Sequence, residues 1–335
     1  ERLRSGVPGG SSVYALASAA VREAQAQACA ALESVSSERL GLVLSTTKAG
    51  IDLLSAAGHA NQPLGDMPRD ALPWSLAQRL ARDIRCRGPV RCVSLACASG
   101  AAAMALGAGL VRGGRADAVL VAGVDILSDF VVAGFHALKS IDPAGCRPFG
   151  RDRRGLSPGE AAAAIVLARR ANPGARAFRL LGWGTSNDAN HLTGPSRDGR
   201  GLALAMARAL ENANIPPGRV GYINAHGTGT VYNDAMEALA VKAVFGNAPP
   251  PISSTKGLTG HTLGAAGVLE SVICLQAMET GLLPGTAGLD IPDSAAPPSL
   301  LTAPCQCPAL DVALNVNSGF GGINAAILFG SEAVA

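Results

Sequence analysis

The residues best able to serve as nucleophiles, bases or ligands in this chain are its eight cysteines and five histidines. Cys97 stands out by its setting. The run VSLACASGAAAMALGAG at 93–109 sets a strand-forming segment, then the thiol, then a stretch with almost no side-chain bulk. A cysteine at the first turn of a buried helix lies in the positive end of the helix dipole, which favours the thiolate and lowers its pKa. The free backbone N–H groups of such a turn can receive a developing oxyanion. On residue type alone the other reading, a small hydrophobe in a tight core, stays open. Two histidines share this setting. His226 lies in NAHGTGT and His261 in STKGLTGHTLGAAG, each after a strand and among Gly and Thr, where the chain can turn sharply and admit a ligand. His59 and His136 lack that context and are read as structural. Lys256, five residues before His261, can tune the local field or hold a carboxylate such as Glu270. In the Gly-rich turn NSGFGGIN at 317–324, Phe320 is the one bulky member, either a gate or a core plug.

Such residues need strand ends to stand on, and the chain supplies them. A helical pattern at 13–34 is followed by strand-like GLVLSTT at 41–47, a helix at 74–84, a buried strand CVSLA at 92–96 and a buried helix at 98–112. ADAVLVAGV and AAAAIVLARR add buried strands. The pattern then restarts with a strand RLLGWGTS, a helix GLALAMARALENANI and the strands GYINAHG and PISSTKG. A helix from Thr262 and two closing strands, LNVNSG and NAAILFG, complete it. Short apolar runs alternating with helices imply parallel sheets covered on both faces. There is an internal echo: with Cys97 aligned on His261, Gly100 falls on Gly264, Ala101 on Ala265 and Ala102 on Ala266. Each half has a strand, a turn bearing one reactive side chain and a helix that starts with small residues. This predicts a duplicated α/β body with halves 1–172 and 173–335. The Pro-rich stretch 291–310 reads as an irregular excursion.

Composition narrows the function. With 48% hydrophobic and only 4% aromatic residues, the chain suits close backbone packing in layers. A net charge of +3 without a basic, aromatic-interleaved stripe argues against nucleic acid and suits acidic protein partners. No apolar run reaches the ~18 residues that a membrane span requires. Residues 1–20 resemble a secretory signal only faintly, and their Ser and Gly interruptions fit an ordinary first helix. The chain opens on Glu, so an upstream piece is expected to be absent. Scattered cysteines point to reduced thiols in a cytoplasm. Cys305 and Cys307 form a C-x-C without a second ligand pair, so no zinc site is expected. Phosphate loops, dinucleotide fingerprints, zincin motifs and serine-hydrolase elbows are absent from the sequence.

Taken together, ACASG, CRPFGRDRRGLSPGEAA, NAHGTGTVYND, SSTKGLTGHTLGAAG and GFGGIN resemble the β-ketoacyl-acyl carrier protein synthases, and most closely the elongating Cys-His-His type. The likeness runs from about residue 13 to 330 in family order. It implies a thiolase-like α-β-α-β-α fold in five layers that dimerises. By position it implies Cys97 as acyl-accepting nucleophile, His226 and His261 as the pair supporting decarboxylation and condensation, Lys256 and Glu270 as their support, and Phe320 as a gate. Thr228 and Thr230 fall on positions that bind the phosphopantetheine arm, Gly321 on a substrate-binding position, and the N–H groups of Cys97 and Phe320 on the oxyanion hole. The implied reaction is a decarboxylating Claisen condensation with malonyl-acyl carrier protein, in fatty acid or polyketide and aryl-polyene-type elongation. The resemblance implies no metal and no diffusible cofactor, since phosphopantetheine arrives on the carrier. The implied partners are acyl carrier protein and a second copy or a ketosynthase-like subunit. Lys139, Arg151 and Arg154 are candidates to meet the carrier, while Arg147 reads as structural in its RPF turn.

The chain departs from the family in three places. The strand that usually precedes the first helix is missing, so the first sheet is expected to lack it, along with part of the carrier surface. Ser318 stands for a phenylalanine and Ile323 for a threonine in the Gly-rich turn. Three rival readings remain open. A thiolase needs a second catalytic cysteine near GFGGIN, which is absent. A starter-type synthase would carry Asn in place of His261. A non-catalytic, chain-length-setting partner subunit would typically lack the nucleophile that Cys97 supplies.

Overall fold

The helices Ser99–Arg112 and Ala266–Thr280, each starting with small residues, pack against each other between the two large sheets. They meet backbone to backbone. A Cβ on Gly100 would stand 2.7 Å from the Val268 nitrogen, and one on Gly267 would stand 2.2 Å from the Ala101 nitrogen. Any larger residue would force the helices apart, which is why the sequence is so depleted in bulk here. The computed structural model describes residues 12–54, 71–169 and 177–334. His59 and the first eleven residues lie outside the described residues.

A sheet covers each side of this helix pair. The first contains β1 (Leu40–Ser45), β2 (Val90–Val93), β3 (Ala118–Asp125) and β4 (Ala161–Ala168) in the order β2-β1-β3-β4. The second contains β5 (Arg179–Asn187), β6 (Tyr222–Asn224), β7 (Ile252–Ser253), β10 (Val312–Gly319) and β11 (Ile323–Gly330), in the order β7-β6-β10-β11-β5. A two-stranded pair, β8 (Leu282–Leu283) with β9 (Cys305–Gln306), lies inside the Pro-rich excursion and its approach. The two large sheets share the same succession of strands. β5 flanks β11 in the second sheet, whereas the described residues hold no counterpart outside β4.

Strand alternation then builds the layers. In β3, Ala118, Leu120, Ala122 and Val124 face an outer cluster with helices Ser12–Gln27 and Pro73–Asp83. Val119 and Val121, on the opposite face, join the central cluster with Met104, Val268 and Ile327. Helices Arg200–Ala213 and Val231–Phe245 cover the far face of the second sheet through Leu202, Met206 and Met236. The result is α-β-α-β-α.

The structure corrects several expectations. The sheets are mixed: β4 is antiparallel to β3, β10 to β11 and β11 to β5. Only three residues separate β10 from β11, a connection too short for a parallel crossover. PISSTKG is a strand only at Ile252–Ser253, and a single helical turn starts at Lys256. The echo holds in kind but shifts in register. Gly100 meets Gly267, whereas Gly264 packs against Thr46, Thr47 and Asp125. A 3-10 turn, Leu263–Ala265, precedes the second helix and displaces it. Helices Asp129–Ala137 and Val231–Phe245 did not emerge from the sequence pattern. Among the described residues no helix is long and apolar enough to cross a membrane.

Candidate active site

Cys97 sits on the turn between β2 and the helix Ser99–Arg112 and is 7% exposed. Ala96 before it has φ of 49°. That left-handed conformation costs a non-glycine residue about 1–2 kcal/mol. Ser99 holds it: its Oγ donates to the Ala96 carbonyl at 2.5 Å and accepts from the Leu95 N–H at 2.7 Å. The end of β10 supports the turn from below. A Cβ on Gly319 would stand 3.1 Å from the nitrogens of Cys97 and Ala98. The next residue, Phe320, presents its backbone N–H to the Cys97 sulfur. Burial pushes the thiol up to about 11, against the pull of Lys256 and Lys48. This reverses the expectation of a resting thiolate. Desolvation outweighs the two lysine charges, so the resting group is a thiol.

His226 is set by two buried carboxylates on the helix that follows it. Glu237 accepts from the backbone N–H groups of His226 at 2.6 Å and Gly227 at 2.8 Å. Asp234 accepts from those of Thr228 at 3.0 Å, Gly229 at 3.1 Å and Phe149 at 2.7 Å. Burial pushes Glu237 up to about 8. Asp234 closes the motif NAHGTGTVYND, but neither acid was assigned a role from the sequence, because their bonds to the loop form only when the helix folds back.

His261 is held from the other half of the chain. Its N–H donates to the Ser157 carbonyl at 2.7 Å, and its carbonyl accepts from Gly159 at 2.9 Å. A Cβ on Gly159 would stand 2.5 Å from the Thr259 carbonyl, which accounts for the SPGE sequence. The two imidazoles meet edge to face, with centroids 5.2 Å apart and planes at 81°. Lys256, 1% exposed, donates to Glu270, whose other oxygen accepts from Asn317 at 2.6 Å. Lys256 Nζ also lies 3.4 Å from His226 Nδ1. An ammonium has no acceptor, so Nδ1 is the acceptor and Nε2 carries the imidazole proton. Burial first, then the Lys256 charge, holds both histidines well below the ordinary imidazole value. Both are neutral at pH 7 and can donate hydrogen bonds.

A cavity of about 980 Å³ brings Cys97, His226, His261, Phe320, Thr228 and Thr230 together. The hydroxyls of Thr228 and Thr230 are 2.9 Å apart. Lys256 is not on the wall; it stands behind His226. Gly321, with φ of 83°, donates its N–H to the Leu192 carbonyl at 2.7 Å and so ties the Phe320 turn to the loop after β5. Ser318 donates to Asn324 Oδ1 at 2.7 Å. Phe320 and Phe135 have centroids 6.0 Å apart, and Val131, Leu156 and Leu263 complete an apolar cluster around the thiol. Lys139 and Arg154 line the cavity. Arg151 lies off it, beside Asp152 at 3.6 Å, and Arg147 pairs with Asp142 at 2.7 Å. The sequence did not single out His191 and Arg197, which line the cavity from the loop after β5, or Arg200, which lines it from the start of the helix Arg200–Ala213.

Comparison with known proteins agrees with this geometry. The family model described as "Beta-ketoacyl synthase, N-terminal domain" matches residues 11–172, and "Beta-ketoacyl synthase, C-terminal domain" matches 177–290. Nodulation protein E of Rhizobium sp. (strain N33) is 36% identical over 328 residues, 94% of this chain and 81% of that protein. The 3-oxoacyl-[acyl-carrier-protein] synthase 2 of Vibrio harveyi is 32% identical over 313 residues, 87% of this chain and 75% of that protein. A ketosynthase from Xenorhabdus doucetiae, solved in complex with its chain length factor, superposes with a TM-score of 0.88 at 34% identity, over 96% of this chain and 82% of that one.

Proposed function

Because the chain belongs to the beta-ketoacyl synthase family and has its thiolase-like fold, we propose that it is a 3-oxoacyl-acyl carrier protein synthase with Cys97 as nucleophile. The observation that carries this reading is the shared cavity: one thiol, two neutral imidazoles and a backbone N–H directed at the sulfur. In the first half-reaction the Cys97 sulfur forms a bond to the acyl carbonyl carbon. The carbon–sulfur bond to the pantetheine breaks, and the departing thiolate takes up the proton that Cys97 releases. The N–H groups of Cys97 and Phe320 hold the oxyanion of the tetrahedral intermediate.

In the second half-reaction malonyl thioester enters along Thr228 and Thr230. Its carbon–carbon bond to the carboxylate breaks and carbon dioxide leaves. The electron pair passes into an enolate whose oxygen accepts hydrogen bonds from His226 Nε2–H and His261. That carbon attacks the Cys97 thioester and forms the 3-oxoacyl product, and the expelled Cys97 thiolate takes up a proton from water to regain the resting thiol. The reaction balances with no metal or diffusible cofactor, the phosphopantetheine being the carrier's own. The carrier protein meets the cavity mouth near Lys139, Arg154, Arg197 and Arg200, where cations suit an acidic partner. A second ketosynthase-like subunit, identical or not, completes the assembly, as the solved ketosynthase with its chain length factor illustrates.

Intact-protein mass spectrometry after incubation with an acyl-carrier thioester tests the assignment. Wild type gains one acyl group and Cys97→Ala gains none; full acylation of the variant refutes it. His261→Ala retains acylation but loses carbon dioxide release from malonyl carrier. The reverse pattern overturns the division of roles.

A further inference from the structure

The two catalytic imidazoles are held differently. His226 Nδ1 accepts from Lys256, whereas His261 Nδ1 is buried without a hydrogen-bond partner among the described residues. The His261 ring is therefore aimed by the chain on either side of it. Its own N–H and carbonyl bond to Ser157 and Gly159. Two residues on, Leu263 has φ of 54°, a left-handed conformation that a bulky residue keeps only where its surroundings impose it. Gly264 imposes it. Its N–H donates to Asp125 Oδ2 at 2.7 Å, and its carbonyl accepts from Ser45 Oγ at 2.9 Å. A Cβ on Gly264 would stand 2.8 Å from Asp125 Oδ2 and 2.9 Å from Thr46 Cα, so the contact is close on every side. Asp125 is itself fixed. It ends β3, is 1% exposed, and accepts from Thr46 Oγ1 at 2.9 Å, Thr47 Oγ1 at 2.7 Å and the Lys48 N–H at 3.3 Å. Ser45, Asp125, Ser157 and Gly159 all come from the part of the chain that builds the first sheet. The Cys97 turn has its own braces in Ser99 and Gly319.

We propose that Asp125, together with Ser45, is a positioning residue for His261. The pair grips both backbone groups of Gly264 and so holds the imidazole where the enolate oxygen forms. It serves decarboxylation and not acylation, because the nucleophile turn is braced separately. A hydrogen bond to a developing enolate works at one geometry, and a displacement of ~1 Å costs about 10²-fold in rate. Neither Asp125 nor Ser45 lines the cavity, so both act through the histidine turn and leave substrate contacts alone. The inference rests on the ketosynthase reading above.

Two assays on the whole chain separate the half-reactions. Acylation of Cys97 by an acyl-carrier thioester is timed by mass spectrometry, and carbon dioxide release from malonyl carrier is followed at graded carrier concentrations. In Asp125→Ala, acylation stays within about twofold of wild type, while kcat for carbon dioxide release falls about 10–100-fold at unchanged KM. Ser45→Ala removes a single neutral hydrogen bond and shows the same split at about three- to tenfold. A residue that merely supports the fold would lower both half-reactions together. In folded variants, equal losses in the two assays, a loss in acylation alone, a loss carried by KM, or undiminished carbon dioxide release overturns the inference. If Asp125→Ala fails to fold, Ser45→Ala decides by the same criteria. A wild type that neither acylates nor releases carbon dioxide overturns the ketosynthase reading instead.

Discussion

Lys256→Met keeps the length of a side chain that is 1% exposed and deletes its charge. Glu270, 3% exposed, is then left with Asn317 as its one donor among the described hydrogen bonds. An unpaired buried charge costs about 3–5 kcal/mol, and the carboxyl avoids that cost by taking up a proton. Against its ordinary value of 4.5, protonation at pH 7 costs about 3.4 kcal/mol, and at pH 5.5 about 1.4 kcal/mol, at ~1.36 kcal/mol per pH unit. The sign follows from linkage. Burial raises the folded-state value of Glu270, so in the variant stability is fully present below the unfolded value and is lost as pH rises through the folded one. Urea denaturation of wild type and variant at the two pH values reads the difference. The variant should lose about 2 kcal/mol more at pH 7 than at pH 5.5. Lys256→Met combined with Glu270→Gln should remove that dependence. Both imidazoles should also move upward toward their ordinary value by NMR, since the Lys256 charge lowers each. A destabilisation equal at both pH values and not rescued by Glu270→Gln would refute the reasoning.

Three further outcomes follow from named contacts. Iodoacetamide alkylation of Cys97 should quicken about tenfold per pH unit until the thiol ionises near 11, and a plateau below pH 8 would show a resting thiolate. Asp234→Ala strands the buried N–H groups of Phe149, Thr228 and Gly229, so chemical denaturation should show a loss of at least about 3 kcal/mol. Gly267→Ala drives a methyl into the Ala101 backbone and should cost at least about 1–3 kcal/mol, measured the same way.

The reactive set was legible because its neighbours are unusual. Cys97, His226, His261 and Phe320 each stand in a run of Gly, Ala, Ser or Thr where a chain turns, and turn chemistry is local. The central helix pair was legible for the same reason: bulk is absent where backbones must touch. The roles of Asp125 and Ser157 were not, since each works on a turn that only folding brings to it. Gly264, for instance, reaches Asp125 across 139 residues of chain. Helix Val231–Phe245 escaped because its buried face carries the polar Asn233, Asp234 and Glu237 while Val231, Tyr232 and Leu239 are exposed, which erases the amphipathic stripe.

By itself the sequence determined which side chains could react, that two similar halves present them at strand ends, and which family they resemble. The tertiary structure alone decided their state. Cys97 rests as a thiol because the surrounding layers strip its water, and both histidines are neutral because burial strips theirs and a buried ammonium stands behind them. Desolvation and through-space charge depend on three-dimensional neighbours, and no local pattern encodes them.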